Sequence, residues 1–446
     1  MKKKTTLRAV LSAVPLLVLA ALILAGCSSR NGGEVRFDPP QTDTPTSSTP
    51  VDEPLTYTDI TLLSAGDVMY HQPQIDEAFG GADGTYDFSD TYKYVTNLVS
   101  SADYAVVNYE GTSAGDDVFP YSGYPSFNIP DTGLTVLKDA GFDMLLFANN
   151  HCYDTGSIGV TRTQEKFTQY GFDYIGARPS AAEGKTYKLV NVKGVNLGML
   201  NSTDDIAYGN TNPRTINGRI IEGDDLERMD IFNLSLLDEF YARAEANIND
   251  LKQSGADLII YYIHWGEEYH FIHNDAQAEI AQKLCDLGVD VIIGGHPHVV
   301  EDAEMLTSTV DPSHKTLCFY SLGNYVSNQN RLTMDAGWES EYTENGLTVR
   351  LTIRKYSNGE TYVTKVETIP TWVHRYYDYD VGAMRHVIVP LPEAYQSPAE
   401  YGLTKSDFGT AHAEAAYTMT MEQMKGADGR SIVDAFAETV VLPAEN

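Results

Sequence analysis

Six short apolar runs in this sequence each lead into a polar residue that chemistry can use. Ile60–Ser64 leads into Gly66-Asp67, Tyr104–Val107 into Asn108-Tyr109-Glu110, and Met144–Phe147 into Asn149-Asn150-His151. Leu258–Ile263 leads into His264, Val291–Ile293 into Gly294-Gly295-His296-Pro297-His298, and Leu317–Tyr320 into Ser321-Leu322-Gly323-Asn324. Singly, each has a plain reading: Gly-Asp is common turn chemistry, and a histidine at a strand end is usually just hydrogen-bonded. His296-Pro297-His298 is harder to dismiss, because proline fixes φ and an extended backbone there would aim both imidazoles. Jointly, Asp67, Glu110, Asn150, His264, His296 and His298 form the donor inventory of a metal site. Mixed oxygen and nitrogen donors suit Mn²⁺, Fe or Zn²⁺ better than Ca²⁺, which takes oxygen alone.

Such scattered residues meet only if regular elements deliver them. Four of the runs open on an aspartate (Asp103, Asp143, Asp257, Asp290), and the polar residue follows it by seven positions in three cases and six in the fourth. Strands of similar length would carry those side chains to one sheet edge, the place where open α/β sheets bind ligands. Short runs bounded by turn residues suit strands buried on both faces. The segments between them read as helices. Ser235–Ser254 places Leu237, Tyr241, Ala244, Ile248 and Leu251 on one stripe, and Asn274 with Gln277 has capping-box spacing before Ile280, Leu284 and Leu287. The expected fold class is α/β with a largely parallel sheet.

The ordered set Gly66-Asp67-Val68-Met69, Asn108-Tyr109-Glu110-Gly111, Ala148–Gly156, His264–Tyr269, Gly295–Val299 and Ser321–Tyr325 resembles the CapA-type capsule-biosynthesis proteins, associated with poly-γ-glutamate synthesis and export. That family is similar to the calcineurin-like metallophosphoesterases, which implies a two-sheet β sandwich flanked by helices. The resemblance spans about Asp59 to Ile369. It implies two divalent metal ions (Mn, Fe or Zn) held by Asp67, a bridging Glu110, Asn150, His264, His296 and His298. It also implies a catalytic His151, held by Asp154, that meets the substrate's oxyanion or leaving group. Met69 stands where phosphoesterases carry the histidine of Asp-x-His, so the neighbouring metal loses a ligand, binds weakly or recruits His71. Tyr70-His71-Gln72 replaces the Leu-Gly-Arg frequent in the family. Glu267 and Glu268 read either as partners orienting His264 or as a solvated loop.

The remaining sequence sets the context. Lys2, Lys3, Lys4 and Arg8 precede an apolar run from Ala9 to Ala25 that ends in Leu24-Ala25-Gly26-Cys27, the pattern of a lipoprotein signal peptide (1–26) with lipidation at Cys27. An uncleaved anchor is the alternative; both place the rest outside the cytoplasmic membrane. Residues 27–58, rich in Pro, Thr and Ser, read as a disordered linker, 59–371 as the CapA-type domain and 372–446 as a C-terminal extension. Asn201–Ile231 reads as an insertion or lid over the site. Cys285 and Cys318 read as core residues. The formal charge is −31, and loss of 1–26, with four basic residues and no acids, makes it −35. That balance excludes nucleic acid as a bulk partner but not an anionic substrate held at metal ions.

Three functions fit these features. The first is a surface-anchored hydrolase or transferase acting on an anionic polymer or phosphoester. The second is a non-catalytic metal- or polymer-binding part of a capsule assembly machine, working with other synthesis and export proteins. The third, a solute-binding lipoprotein, leaves the histidines unexplained.

Overall fold

In the computed structural model, residues 55–80, 84–205, 213–334, 340–426 and 428–439 are described. The expected signal segment 1–26, Cys27 and nearly all of the linker lie outside the described residues. The strands are β1 (Tyr57–Val68), β2 (Tyr104–Tyr109), β3 (Met144–Leu146), β4 (Asp173–Ile175), β5 (Lys188–Val192), β6 (Val195–Asp204), β7 (Thr215–Ile216), β8 (Arg219–Ile220) and β9 (Ile231–Phe232). They continue as β10 (Leu258–His264), β11 (Val291–Gly295), β12 (Ala303–Thr307), β13 (Lys315–Phe319), β14 (Asn324–Val326), β15 (Asn345–Tyr356), β16 (Thr361–Asp378) and β17 (Ala383–Pro390).

These strands form two large sheets and one small hairpin, β7–β8. The first sheet runs β17-β16-β15-β1-β2-β3-β4, with β14 beside β1; the second runs β12-β13-β11-β10-β6-β5, with β9 beside β6. Both are mixed, which corrects the expectation of a largely parallel arrangement. The site-bearing strands β1–β4 and β6-β10-β11-β13 are parallel, whereas β15–β17, β5 and β12 join antiparallel.

The opening aspartates have a structural task that follows from strand chemistry. A strand N–H that lies beside the start of its neighbour needs an acceptor once it is buried. Asp103 accepts from Thr61 N of β1 (2.9 Å), and Asp143 accepts from Ala105 N of β2 (2.9 Å). Asp257 accepts from Asn196 N of β6 (2.7 Å), and Asp290 accepts from Ile259 N of β10 (2.7 Å). Each carboxylate therefore locks its own strand to the preceding neighbour and fixes the parallel register.

Alternation along the strands divides the apolar residues between layers. Leu258, Ile260 and Tyr262 of β10 meet Ile60, Leu62, Tyr104 and Val106 of the first sheet between the sheets. Ile259, Tyr261 and Ile263 face the other way, onto Phe240, Ala244, Ile248, Leu251, Ile280 and Leu284 of helices Leu237–Gln253 and Asp275–Asp286. Leu63, Ala65, Ala105 and Val107 face Leu134, Leu137, Val160 and Phe167 of helices Thr132–Ala140 and Gly156–Gln169. The product is the two-sheet sandwich flanked by helices that the family resemblance implied. Cys285 and Cys318 lie in the helix-facing core of the second sheet, and Cys152 in that of the first.

The boundary expected at 371/372 is not a structural break. β16 runs through it, pairing along β15 on one side and β17 on the other. Trp372, Tyr376, Val387, Val389 and Leu391 then pack with Leu403, Ala413 and Ala416 as a local core. β1 likewise starts at Tyr57, two residues inside the expected linker. Among the described residues no helix is long and apolar enough to cross a membrane.

Candidate metal centre

All six expected donor residues lie at or just beyond carboxyl ends of parallel strands, but of two sheets and not one. Asp67 is near the end of β1, Glu110 follows β2 and Asn150 follows β3. His264 ends β10, and His296 and His298 follow β11. The site is the seam where the two sets of strand ends face each other.

Glycines permit that seam. A Cβ on Gly66 would stand 2.0 Å from Gly323 O, so only glycine lets β1 pass the Gly323 turn at the bulge between Ala65 and Asp67. A Cβ on Gly295 would stand 2.7 Å from Asp67 Oδ1, so its absence leaves room for that carboxylate. Asn108, opposite Asp67 on β2, donates to Asp67 Oδ1 (2.7 Å) while its own Oδ1 accepts from Asn149 Nδ2 (3.0 Å).

Two clusters of ligand-type atoms result, each with its atoms within 4.8 Å of one another: Asp67, Glu110 and His264; and Glu268, His296 and His298. Glu110 Oε1 links them, 3.7 Å from His264 Nε2 and 3.9 Å from His298 Nε2. Asn150 Oδ1 lies 3.0 Å from His264 Nε2. Of the two adjacent glutamates, Glu268 joins a cluster and Glu267 does not; Glu267 pairs outward with His270 (3.7 Å).

Several buried atoms here have no hydrogen-bond partner among the described residues: Glu110 Oε1, His296 Nδ1 and His298 Nδ1. Such orphans are costly in an apolar interior unless something satisfies them. Burial, reinforced by Asp67, pushes the Glu110 carboxyl well above its usual range. Burial likewise pushes His264 well down and His296 to about 4, with neighbouring imidazoles adding to the effect. Neutral imidazoles, crowded carboxylates and orphaned lone pairs are what a cation would satisfy, so these residues fit a metal site.

The backbone at His-Pro-His corrects the expected geometry. His296 and His298 have φ of 100° and 58°, left-handed and not extended. That conformation is uncommon for residues with a Cβ and is typical of functional sites held by their surroundings. Met69 is buried in the apolar core and offers no ligand. His71 Nδ1 receives the backbone N–H of Asn328 (3.2 Å).

His151 sits beside the clusters with Nδ1 2.8 Å from Asp154 Oδ2. Asp154 is fully buried and also accepts from Phe127 N (2.6 Å) and Asn217 Nδ2 (2.8 Å). Three donors hold the carboxylate, which holds the proton on Nδ1 and leaves Nε2 free. Asn217, at the turn of hairpin β7–β8, also donates to Pro125 O (3.2 Å), so the 201–231 insertion does reach the site. Asn108 and Asn217 were not singled out as site residues, and Glu268 was read only as a partner orienting His264 or as part of a solvated loop. Asn108 was legible as the polar residue opening Asn-Tyr-Glu, whereas no local signal ties Asn217 to a histidine 66 residues away.

An α/β two-sheet sandwich with a buried seam of carboxylates and imidazoles defines a protein built around a candidate metal site. Residues 61–329 match the model of the bacterial capsule synthesis protein PGA_cap, and the chain belongs to that family. It is 28% identical over 284 residues to the capsule biosynthesis protein CapA of Bacillus anthracis, covering 63% of this chain and 61% of that one. It is 29% identical over 280 residues to the PGA biosynthesis protein CapA of Bacillus subtilis (strain 168), covering 62% of this chain and 64% of that one. The chain thus spans less than two thirds of the length of these curated relatives. Among solved structures it is similar to the sulfate thiohydrolase SoxB of Thermus thermophilus (TM-score 0.35, 12% identity, 81% of this chain and 60% of that one). A candidate 5′-nucleotidase of Staphylococcus aureus in complex with alpha-ketoglutarate gives a TM-score of 0.41 at 11% identity, over 70% of this chain and 54% of that one.

Proposed function

We propose that this chain is a metal-dependent hydrolase or transferase of capsule or poly-γ-glutamate biosynthesis, acting on an anionic polymer or phosphoester. The observation behind this reading is the pairing of two adjoining ligand clusters with a histidine whose Nε2 is left free by the Asp154 contact. Asp67, Glu110, Asn150 and His264 would hold one divalent ion, and Glu268, His296 and His298 a second, with Glu110 between them. When bound, the ions (Mn, Fe or Zn) supply Lewis-acid charge of about +4 and a nucleophile at neutral pH. The protein's own groups do the rest. His151 Nε2, its lone pair first taking up a proton from water, passes that proton to the leaving atom, and Asp154 and Asn217 hold the ring in place for it. A lipidated Cys27 would tether the body to the outer face of the cytoplasmic membrane, beside other capsule synthesis and export proteins.

A non-catalytic metal-binding role is the second reading. It is favoured by Met69, which is packed in the core at a position that could have offered a further ligand.

Turnover by the Mn²⁺-loaded full chain on phosphomonoesters, phosphodiesters and γ-glutamyl oligomers decides between them. His151→Ala is expected to lower kcat by about 10²–10⁴-fold, with metal content unchanged by elemental analysis. Asn217→Ala should cost less, since it removes one of three donors to Asp154. Loaded wild type that turns over no member of the series leaves the non-catalytic reading.

A further inference from the structure

His71 lies four positions beyond Asp67 and belongs to neither ligand cluster. The backbone N–H of Asn328 points at its Nδ1 across 3.2 Å. A backbone amide always keeps its proton, so Nδ1 presents a lone pair and the ring's hydrogen sits on Nε2. Met69 O is 3.4 Å from the same nitrogen, which has no hydrogen left to give it.

Asn328 is itself firmly placed. Its carbonyl accepts from Asn330 Nδ2 (2.6 Å) and Thr333 Oγ1 (2.7 Å), and its Oδ1 lies 2.9 Å from His386 Nε2. The other nitrogen of His386, a fully buried residue, is 2.7 Å from Glu77 Oε2. A chain of contacts thus runs from β17 to the His71 ring and fixes its tautomer.

The ring is also fixed in orientation. It packs edge-on against Phe127 (5.3 Å between centroids, 88°), and His151 packs on the same phenyl ring (4.7 Å, 87°). Phe127 thus brings the rings of His71 and His151 to one side chain beside the ligand clusters. His71 is partly exposed, and its Nε2 has no hydrogen-bond partner among the described residues. A metal ion needs a lone pair, and Nε2 has none to give.

We infer that His71 is a substrate-binding residue whose Nε2–H donates to an anionic oxygen of the substrate, and is not the replacement ligand for the position of Met69. The inference rests on the proposed reading of the site as one that holds an anionic substrate. The oxygen belongs to a phosphoryl group or to a γ-glutamyl carboxylate, the same chemistry from two sources.

The test is calorimetric titration of the Mn²⁺-loaded full chain with inorganic phosphate and, separately, with γ-glutamylglutamate. Wild type, His71→Ala and His71→Gln are compared, with metal content measured on each. Metal content should be equal in all three. His71→Ala should weaken binding of one probe by about tenfold or more, the scale of a hydrogen bond to a charged group. His71→Gln should recover most of the affinity, because its amide N–H reaches the place of Nε2; the probe that responds identifies the source. Metal loss in the folded Ala variant would make His71 a ligand and overturn the inference, as would unchanged affinity for both probes. A Gln variant as weak as Ala, both melting like wild type, would assign the effect to packing and overturn it too. If His71→Ala does not fold, His71→Leu replaces it in the comparison. Loaded wild type that binds neither probe rejects the anionic-substrate reading and this inference with it, a failure visible before any variant is made.

Discussion

Glu110→Gln is expected to reduce turnover by at least about 10³-fold, or ~4 kcal/mol of transition-state stabilisation, while leaving the metal-free protein as stable as wild type or more so. The two effects share one cause. Glu110 is fully buried, its Oε1 has no hydrogen-bond partner among the described residues, and Asp67 stands beside it. Without cations the folded chain must either bury that charge beside Asp67 or take up a proton that the unfolded chain lacks at neutral pH, and both lower its stability. Glutamine removes that charge at nearly constant volume. With cations the same carboxylate lies between the two ligand clusters, where an amide is a far weaker ligand. Thermal melting with and without Mn²⁺ checks the sign: loading should raise the melting temperature of wild type much more than that of the variant, as ligand linkage requires. A variant that is destabilised without metal, yet gains as much from loading as wild type, would contradict this role for Glu110.

Gly294→Ala is expected to be the most damaging single-atom addition near the site. A Cβ there would lie 1.9 Å from Tyr320 O and 2.6 Å from Trp265 Nε1, atoms already joined by a 2.9 Å hydrogen bond. The strand is central in its sheet, bonded to β10 and β13, so it has no free edge toward which to move. The clash is with a backbone carbonyl and an indole, neither of which can rotate out of the way. The expected cost is about 3 kcal/mol or more, at the upper end for a single substitution. Because Gly295, His296 and His298 follow directly, any folded fraction should also lose metal. Denaturant unfolding checks the first effect and elemental analysis the second; a variant within ~0.5 kcal/mol of wild type would show that the backbones do not approach so closely.

The donor set was readable because parallel strands buried on both faces show up as short apolar runs, and the residue after such a run is where the chain leaves the core. Asp67, Glu110, Asn150, His264, His296 and His298 all satisfied that rule. The opening aspartates were equally visible, although their task of capping the neighbouring strand appears only once register is known. Pairing between distant segments was not local information. β1 pairs with β15 across almost the whole domain, and nothing near Tyr57 or Tyr356 announces it. This is why the runs alone read as a largely parallel sheet although both sheets are mixed, and why 372–446 read as an appendage although β16 crosses the boundary. The twist of His296 and His298 was hidden for a different reason. Proline constrains its own φ and the residue before it, and the left-handed φ of the flanking histidines is imposed by tertiary structure. Asn217 and Asn328 act on site histidines only through the folded chain.

The seam between the sheets is expected to hold divalent metal. Elemental analysis of the purified full chain after loading with Mn²⁺ or Zn²⁺ and removal of free ion tests it most directly, with Asp67→Ala and His296→Ala prepared alongside. About two ions per wild-type chain are expected, with each variant losing at least one while still folded. Wild type that retains no metal after loading, or variants that retain as much as wild type, would contradict it.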